Sequence, residues 1–467
     1  MRFGLEEHIV LQIINLFEQQ PKIDKAIIFG SRAKGNYKPG SDIDIAFKGT
    51  DLNTKDILNL YVKWDDLEIP FKLDLLKYET IKEPELKDHI DRVGIEFYSR
   101  WKKVKLGDIV KFGNGKERPK IEGEIPVYGG NGVLGYTNQS NYEGEVLIIG
   151  RVGAYCGSVY YENKPIWISD NALAAKPKNN YNAKFLYYFL KNLQLNNYAQ
   201  GSSHPLVTQT LLKSFDIVLT DDFQEQTAIA SILTSLDDKI DLLHRQNKTL
   251  EQLAETLFRQ WFVEEAEESW EVGILGKVFD IGIGRTPPRK EQHWFTLNPT
   301  DVKWVSIKDM GTSGIYIDTV SEYLTREAVE KYSIPLIPVN TLMLSFKMTI
   351  GRLAISTEEM VSNEAIAHFK QKEGSFLFPE FLYLFLKTYS WIELGSTSSI
   401  VESINSQMIK NIEIVIPHKE KLFSFKEMIK PTFDKIKTNQ IQIRTLTRTR
   451  DNMLPKLMSG EVRVIGN

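Results

Sequence analysis

The chain has 467 residues, more than one hydrophobic core can organise, and this length predicts about three domains. Its net charge of −3 excludes a uniformly basic surface for nucleic acid, so a polyanion site must come from local clusters of charge. The single cysteine, Cys156, excludes an internal disulfide and a four-cysteine zinc site, and fits a reducing, cytoplasmic compartment. No run of about 18 apolar residues occurs, so no membrane partner is expected.

Residues 1–99 predict a small α/β domain. Apolar residues at helical spacing, Ile9, Ile13 and Phe17, precede an apolar strand at residues 25–29. An alternating strand at 41–47 and a third strand at 71–76 follow, with helical stretches between and after them.

Polar residues in these strands predict a nucleotide site. Asp42 and Asp44 lie two apart on a predicted strand and so share a face, and Asp74 in a neighbouring strand can point to the same place. Carboxylates in such a group suit Mg²⁺, which can position a triphosphate. Gly30 allows a tight turn, and Ser31 offers a hydroxyl and an N–H group to phosphate. The alternative is a polar strand end beside an ordinary turn.

The rest of the chain repeats itself. A segment that begins at Trp101 has a second copy that begins at Trp270. The aromatic run 185–190 also recurs, at 381–386, and the distance between its two copies differs from that between the two tryptophans. The repeat predicts one mixed, mostly β architecture used twice, at residues 101–221 and 270–417.

Each repeated module leads into a long helical pattern, at residues 222–263 and 418–460. Apolar residues every 3.5 positions predict that the two helices pair as an antiparallel coiled coil, a rod between the two modules. Asn247 interrupts the apolar stripe, which lowers stability but can fix the register. The alternative is that each helix packs on its own module. The first helix carries its stripe on Ile229, Leu233, Leu236, Ile240, Leu243, Leu250, Ala254 and Leu257.

Basic residues cluster in loops of both modules. Such loops can neutralise DNA phosphates, and arginine can also read base edges in the major groove. A solvated, charged face is the alternative for any one of them. The predicted DNA contacts are Lys116, Arg118, Arg151, Arg285, Arg289 and Lys290.

The N-terminal motif resembles that of the minimal nucleotidyltransferases of the DNA polymerase β-like superfamily. The matching residues are Gly30-Ser31-Arg32-Ala33-Lys34-Gly35, followed by Ser41-Asp42-Ile43-Asp44. The resemblance implies a nucleoside triphosphate held with Mg²⁺ by Gly30 and Ser31, and Asp42, Asp44 and Asp74 as catalytic and metal-binding carboxylates. Members of this family often act as antitoxins that modify a toxin partner with nucleotides.

From Trp101 onward the chain resembles the specificity subunit of type I restriction–modification systems, in the segments 125–136, 148–153, 284–294 and 303–309. The resemblance implies two target recognition domains that each read half of a bipartite, asymmetric site on double-stranded DNA. It implies that the paired helices set the distance between the halves and dock methyltransferase subunits, with a restriction/translocase subunit as a further partner. It implies no cofactor and no catalysis for this part. The alternative function is a Mg²⁺-dependent nucleotidyltransferase whose repeats only select its target.

Overall fold

A computed structural model describes residues 2–49, 52–178, 181–201, 205–391 and 404–464. Its helices and strands make an α+β chain of several domains and several sheets, which confirms the fold class predicted from the small α/β domain, the two mixed, mostly β modules and the long helices. No helix in these ranges is long and apolar enough to cross a membrane. The helices are α1 (Glu7–Glu18), α2 (Gly30–Lys34), α3 (Thr54–Asp65), α4 (Pro84–Val93), α5 (Leu106–Ile109), α6 (Ala183–Asn192), α7 (Gln209–Ser214), α8 (Phe223–Arg259), α9 (Leu275–Val278), α10 (Ile307–Met310), α11 (Arg326–Lys331), α12 (Pro379–Thr388), α13 (Ser406–Lys410) and α14 (Lys419–Ser459).

The strands are short, as the density of glycine and turn residues predicts. They are β1 (Lys25–Ile28), β2 (Ile43–Lys48), β3 (Leu73–Lys77), β4 (Ile95–Ser99), β5 (Trp101–Lys105), β6 (Val110–Asn114), β7 (Ile125–Gly129), β8 (Gly132–Thr137), β9 (Val146–Gly150), β10 (Val159–Glu162), β11 (Trp167–Ile168), β12 (Ala172–Pro177), β13 (Asp216–Thr220), β14 (Glu271–Ile274), β15 (Phe279–Ile283), β16 (Phe295–Thr296), β17 (Val302–Val305), β18 (Tyr316–Ile317), β19 (Glu322–Leu324), β20 (Leu342–Ser345), β21 (Leu353–Ser356), β22 (Val361–Ser362), β23 (Ile366–Gln371) and β24 (Glu413–Ile416).

The N-terminal segment forms a four-stranded sheet in the order β3-β2-β1-β4. Strands β2 and β3 are parallel, and the other neighbours are antiparallel. The apolar stripe of α1 packs on one face, where Phe17 meets Phe47 of β2 edge to face at a centroid distance of 5.0 Å. The three strands predicted from the sequence correspond to β1, β2 and β3, but Asp42 lies just before β2 and not within it.

The two repeated modules share a sheet order. In the first, a sheet runs β10-β9-β12-β6 beside a three-stranded sheet β11-β7-β8, and β5 pairs with β13. In the second, a sheet runs β15-β23-β20-β21-β18 beside a four-stranded sheet β16-β19-β17-β22, and β14 pairs with β24. The series β6-β12-β9-β10 therefore corresponds to β15-β23-β20-β21. One architecture is used twice, with loops and small strands that differ.

The chain divides into two compact units, Met1–Asp237 with Arg448–Asn467, and Asp238–Thr447. In the first unit, Ile229 of α8 shares a core with Leu457 of α14. In the second, Phe258 near the end of α8 stacks edge to face on Phe425 near the start of α14. Each unit therefore holds the two helices side by side with opposite directions. The antiparallel pairing is confirmed, and the alternative, in which each helix packs only on its own module, is wrong.

Within the first unit, Arg463 joins the N-terminal domain to the start of α8. Its guanidinium forms ion pairs with Asp24 at 2.7 Å and with Glu225 at 2.9 Å, and its side chain is buried. It also donates to the carbonyl of Pro21. Arg100 adds hydrogen bonds to the carbonyls of Gln20 and Ile23. Because buried charges need complete pairing, these contacts make the N-terminal domain an integral part of this unit.

Candidate functional site

The first candidate site is the edge of the N-terminal sheet where Gly30, Asp44 and Asp74 meet. Asp44 of β2 is in register with Asp74 of β3, so both carboxylates project from the same face of the sheet. Gly30 has a φ of +69°, and a Cβ placed on it would lie 2.3 Å from Oδ2 of Asp44. Only glycine therefore fits beside this carboxylate. The backbone N–H of Phe29 donates to the carbonyl of Asp44 at 3.0 Å and holds the turn against the strand.

The carboxylates of this edge repel each other. Burial raises the pKa of Asp44, and the negative charges of Asp74 and Asp42 raise it further, against the opposing effect of Arg32 and Lys72. Asp42 lies within 3.9 Å of the ammonium group of Lys72. In the described part of the chain, no three histidine, cysteine or acidic side chains stand together as a ready metal site. The donor set nevertheless suits Mg²⁺, because a cation would relieve the repulsion that raises the pKa of Asp44.

Arg32 is the residue of this site that the sequence reasoning missed. Its side chain is 2% exposed, although it occupies a variable position of the motif. Its guanidinium donates to the carbonyls of Ser41 at 2.6 Å and Asp42 at 3.0 Å, and stacks over the ring of Phe71 at 4.5 Å. It thereby fixes the loop that carries Asp42. The sequence shows an arginine directly after Gly30-Ser31. It does not show that this arginine is buried, because its carbonyl partners lie about ten residues further along the chain and backbone carbonyls leave no pattern in the sequence.

A cavity of about 380 Å³ opens beside this edge, where α3 meets the start of β3. Aromatic side chains of Tyr61, Trp64 and Phe71 line it together with Lys72. Lys72 is also the residue that approaches Asp42, so the cavity borders the carboxylate edge. The aromatic wall offers stacking to a base, and Lys72 offers a positive charge beside the acidic side chains of Asp65 and Glu68.

In the first repeated module, Lys116 and Arg151 lie at one edge of the four-stranded sheet, meaning here the side that is formed by the ends of its strands. Strand β6 ends at Asn114, which is in register with Leu173, and β9 ends at Gly150, which is in register with Ala172. The chain leaves both strands at this edge. Lys116 is exposed, and Arg151 is half-buried. Arg118, also exposed, lies instead at the β7–β8 hairpin, where it donates to the carbonyl of Leu134 at 3.4 Å.

In the second module, Arg285 lies at the corresponding edge. Strand β15 ends at Ile283, which is in register with Ala367, and the next residues lead to the exposed Arg285. Its guanidinium donates only to the carbonyl of Tyr332, at 3.2 Å, among the hydrogen bonds of the described residues. Lys290 is also exposed, in the turn that follows.

Arg289, unlike Arg285, is held by an ion pair and by aromatic rings of its own module. It forms a bidentate pair with Glu322, with distances of 3.0 and 2.9 Å, and stacks over the rings of Phe295 and Trp304. These contacts tie its charge to the small sheet of the second module, so fewer of its donors are available to a phosphate than those of Arg285.

A second missed residue is Lys347. It follows β20, whose last residue, Ser345, is in register with Ile366 at the same sheet edge as Arg285. Arg151 occupies the corresponding loop of the first module. The loops differ in length and sequence, so only the strand register reveals that both modules carry a cation here.

Residues 98–252 and 267–448 match the family model "Type I restriction modification DNA specificity domain". Residues 11–103 match "Polymerase beta, Nucleotidyltransferase", which confirms the resemblance of the N-terminal domain.

Among its relatives, the MjaIX specificity subunit of Methanocaldococcus jannaschii is 26% identical over 351 residues, which cover 69% of this chain and 78% of that protein. The HindI specificity subunit of Haemophilus influenzae is 24% identical over 361 residues, which cover 60% of this chain and 77% of the relative. The crystal structure of a type I restriction–modification S subunit from M. genitalium superposes with a TM-score of 0.54 at 18% identity, and covers 77% of this chain and 96% of that structure. The chain therefore belongs to the type I restriction–modification DNA specificity family and carries a polymerase β-like nucleotidyltransferase domain at its N-terminus.

Proposed function

We propose that this chain is the DNA recognition subunit of a type I restriction–modification complex and that it reads a bipartite, asymmetric site. The observation that carries the proposal is the repeated sheet edge. In each module, two strands that flank the same central strand end at one edge that carries cations. The cations are Lys116 and Arg151 in the first module, and Arg285 and Lys347 in the second. Cations in this arrangement neutralise phosphates and hold a duplex in a fixed register.

The proposal assigns separate tasks to the parts of the chain. Residues 101–221 and 270–417 are the two target recognition domains, residues 222–263 and 418–460 the spacer helices, and residues 1–99 the appended domain. The site is asymmetric because the two modules differ in their loops. Lys116, Arg118, Arg151, Arg285 and Lys290 contact DNA, while Arg289 acts mainly through its contacts with Glu322 and the neighbouring rings.

The chemistry then comes from partner chains in the same cytoplasmic complex. Methyltransferase subunits modify adenine, a restriction/translocase subunit cleaves, and both bind this chain, in part through the paired helices. The proposal is supported by the sequence, which contains neither an Asn-Pro-Pro-Tyr/Phe motif nor a phosphate-binding loop of the form Gly-x-x-x-x-Gly-Lys-Ser/Thr.

Selection from a pool of duplexes with randomised bases tests the proposal. The full chain, with its methyltransferase subunit, should enrich two short, different sequence blocks at a constant spacing. Bound duplexes that share no sequence would contradict it.

A second function has its own observation, the pairing of Asp44 with Asp74 beside Gly30. We propose that the N-terminal domain binds a nucleoside triphosphate and transfers its nucleotidyl group to a hydroxyl, releasing pyrophosphate. Asp42, Asp44 and Asp74 would hold Mg²⁺, which neutralises phosphate charge. Gly30 and Ser31 would bind the phosphates, with N–H and hydroxyl groups as hydrogen-bond donors. Arg32 fixes the loop of Asp42, and Lys72 borders the cavity available to the nucleotide.

Triphosphates labelled at the α-phosphate test the transfer. Label should appear on a protein or nucleic-acid acceptor with the wild-type chain and disappear with Asp42→Ala plus Asp44→Ala, while DNA selection remains unchanged. Equal labelling by the variant would contradict this assignment.

A further inference from the structure

The loop that joins β20 to β21 projects an apolar side chain into solvent. Met348 at its tip is 96% exposed, and the neighbouring Ile350 is 43% exposed. Exposed apolar side chains are common, but one that is almost completely stripped of contacts contributes nothing to its own domain.

The backbone of this tip is held in an unusual conformation. Met348 has a φ of +59°, a region that residues other than glycine rarely adopt. The hydroxyl of Ser345, buried at the base of the loop, donates to the carbonyl of Thr349 at 2.6 Å and accepts from the N–H of Arg352 at 3.0 Å. The N–H of Gly351 donates to the carbonyl of Ser345 at 2.9 Å. The surrounding hydrogen bonds therefore hold the methionine outward, and strain of this kind points to a function.

The loop lies at the sheet edge assigned to DNA. Strand β20 ends at Ser345, in register with Ile366, and β23 pairs with β15, which leads to Arg285. The tip thus has Lys347 beside it and Arg285 on the same edge. One acid, Glu364, also lies there, and its carboxylate accepts from the hydroxyl of Thr286.

The first module repeats the arrangement with other residues. The loop after β9 begins with Arg151 and exposes the ring of Tyr155, which is 52% exposed. Gly157 closes that loop with a hydrogen bond from its N–H to the carbonyl of Gly150, as Gly351 does to Ser345. Both modules therefore expose an apolar or aromatic side chain in a loop that also carries a cation.

We infer that Met348 is a base-contacting residue of the second module, one that presses its side chain between or against the base pairs of duplex DNA. The inference rests on the proposed DNA recognition. Lys347 and Arg285 bring the phosphates to the edge, and the fixed loop presents the methionine to the groove. Apolar side chains in this position partly unstack a base step or contact a thymine methyl group, and both effects depend on sequence.

The test uses the full chain with its methyltransferase subunit, and as its probe the duplex selected from the randomised pool. Met348→Asn keeps a residue that tolerates the left-handed backbone and removes the apolar tip. Met348→Leu keeps the tip apolar. Val339→Ala is the matched control, because Val339 is an exposed apolar residue (58%) just before β20, at the opposite end of the same strand.

We expect Met348→Asn to weaken binding of the selected duplex by about tenfold and to leave binding of random-sequence duplex unchanged, since one base contact is worth about that factor. Met348→Leu and Val339→Ala should bind as the wild type does. With 2-aminopurine placed in turn along the half-site of the second module, a rise in fluorescence at one step with the wild type and not with Met348→Asn shows that the methionine unstacks that step. No rise at any step, together with the tenfold loss, shows that it contacts stacked base pairs.

Wild-type affinity of Met348→Asn for the selected duplex would overturn the inference while leaving the proposed function intact. So would an equal loss on selected and random DNA, because Met348 would then not read sequence. If the wild-type complex selects no sequence at all, the proposed function fails, and this inference fails with it.

Discussion

The Asp44 carboxylate lies so close to Gly30 that any side chain at this position would collide with it. The residue is also left-handed, which would cost an alanine about 1–2 kcal/mol even without the contact. The close approach couples the turn that would receive phosphates to the carboxylate that would hold the metal. At the residue scale, this contact is what makes the edge a candidate for chemistry.

We expect Mg²⁺ binding to release protons up to a higher pH than it would at an ordinary aspartate. Burial, with the charges of Asp74 and Asp42, raises the pKa of Asp44, so this carboxyl keeps its proton to higher pH and the metal must displace it. The proton release should shrink as the pH rises past the pKa of Asp44. Calorimetric titration of Mg²⁺ in two buffers of different ionisation enthalpy measures it.

Asp44→Asn and Gly30→Ala should both lose Mg²⁺ binding and its proton release in this titration. Glu79→Gln, which removes an exposed carboxylate elsewhere in the same domain, is the control and should leave both unchanged. Undiminished proton release in Asp44→Asn would show that another group holds the metal.

His368 makes the second module sensitive to acid. It is fully buried on β23, and neither ring nitrogen has a hydrogen-bond partner among the described residues. Burial, with a smaller effect of the Lys370 charge, lowers the pKa of His368 to about 4. The unfolded chain, with a pKa near 6.5, takes up the proton first as the pH falls, so stability is lost between these two values.

This contribution should reduce the free energy of unfolding by about 2 kcal/mol between pH 7 and pH 5. Urea unfolding at each pH, monitored through hydrogen exchange of the β23 amides, measures this change in the free energy of unfolding. His368→Phe, which keeps a ring beside Gly282, should lose most of the pH dependence. An unchanged slope would mean that His368 does not control it.

Arg285 and Arg289 should behave differently when replaced by alanine. Arg285 donates to one carbonyl and is otherwise exposed, so Arg285→Ala should weaken DNA binding and reduce the slope of log affinity against log salt by about 1. Arg289 is paired with Glu322 and stacked on two rings, so Arg289→Ala should lower stability and change the slope little. Filter-binding titrations at several salt concentrations separate the two, and the reverse pattern would contradict the assignment.

At the scale of elements, the two long helices meet in a polar contact inside an apolar seam. Asn439 of α14 is completely buried, and its Nδ2 donates to Oδ1 of Asn247 of α8 at 2.9 Å. A hydrogen bond of this kind forms in one register of the two helices and is lost in the others.

The pair predicts a specific double-mutant cycle. Asn247→Leu should cost about 1–3 kcal/mol, because it leaves the buried amide of Asn439 without its partner. Asn247→Leu with Asn439→Leu should recover most of that loss, because both polar groups are gone. Chemical denaturation of the full chain measures the four free energies. Additive losses would show that the two amides do not interact.

The seam illustrates what the sequence predicts and what it does not. Apolar repeats predicted a helix at 222–263 and another at 418–460, and α8 and α14 lie within these bounds to a few residues. The sequence shows Asn247 as an interruption of the apolar stripe. It does not show the partner, Asn439, because that pairing depends on the axial alignment of two helices, which no local pattern encodes. Knobs-into-holes packing along the pair stays a prediction.

At the scale of the whole molecule, the repeat predicted the architecture well, because strand alternation and the Trp101 and Trp270 starts are local signals. It predicted the contact residues less completely. Lys347 and Met348 lie in the loop 346–352, which is one residue shorter than its counterpart at 151–158, so the two sequences do not align there although the strands do. Arg463 escaped notice too, because its ion pairs join residues that are distant in sequence. The conformations of loops and the partners of long-range ion pairs depend on tertiary packing, so the sequence pattern does not predict them.

Each module should read its own half of the site, and exchange of one module shows whether it does. Residues 101–221 would be replaced by the corresponding residues of a relative with a different known site, and the preferred sequence selected from randomised duplexes. We expect one half-site to change to that of the donor, while the other half and the spacing stay the same. A change in both halves, or in neither, would contradict it.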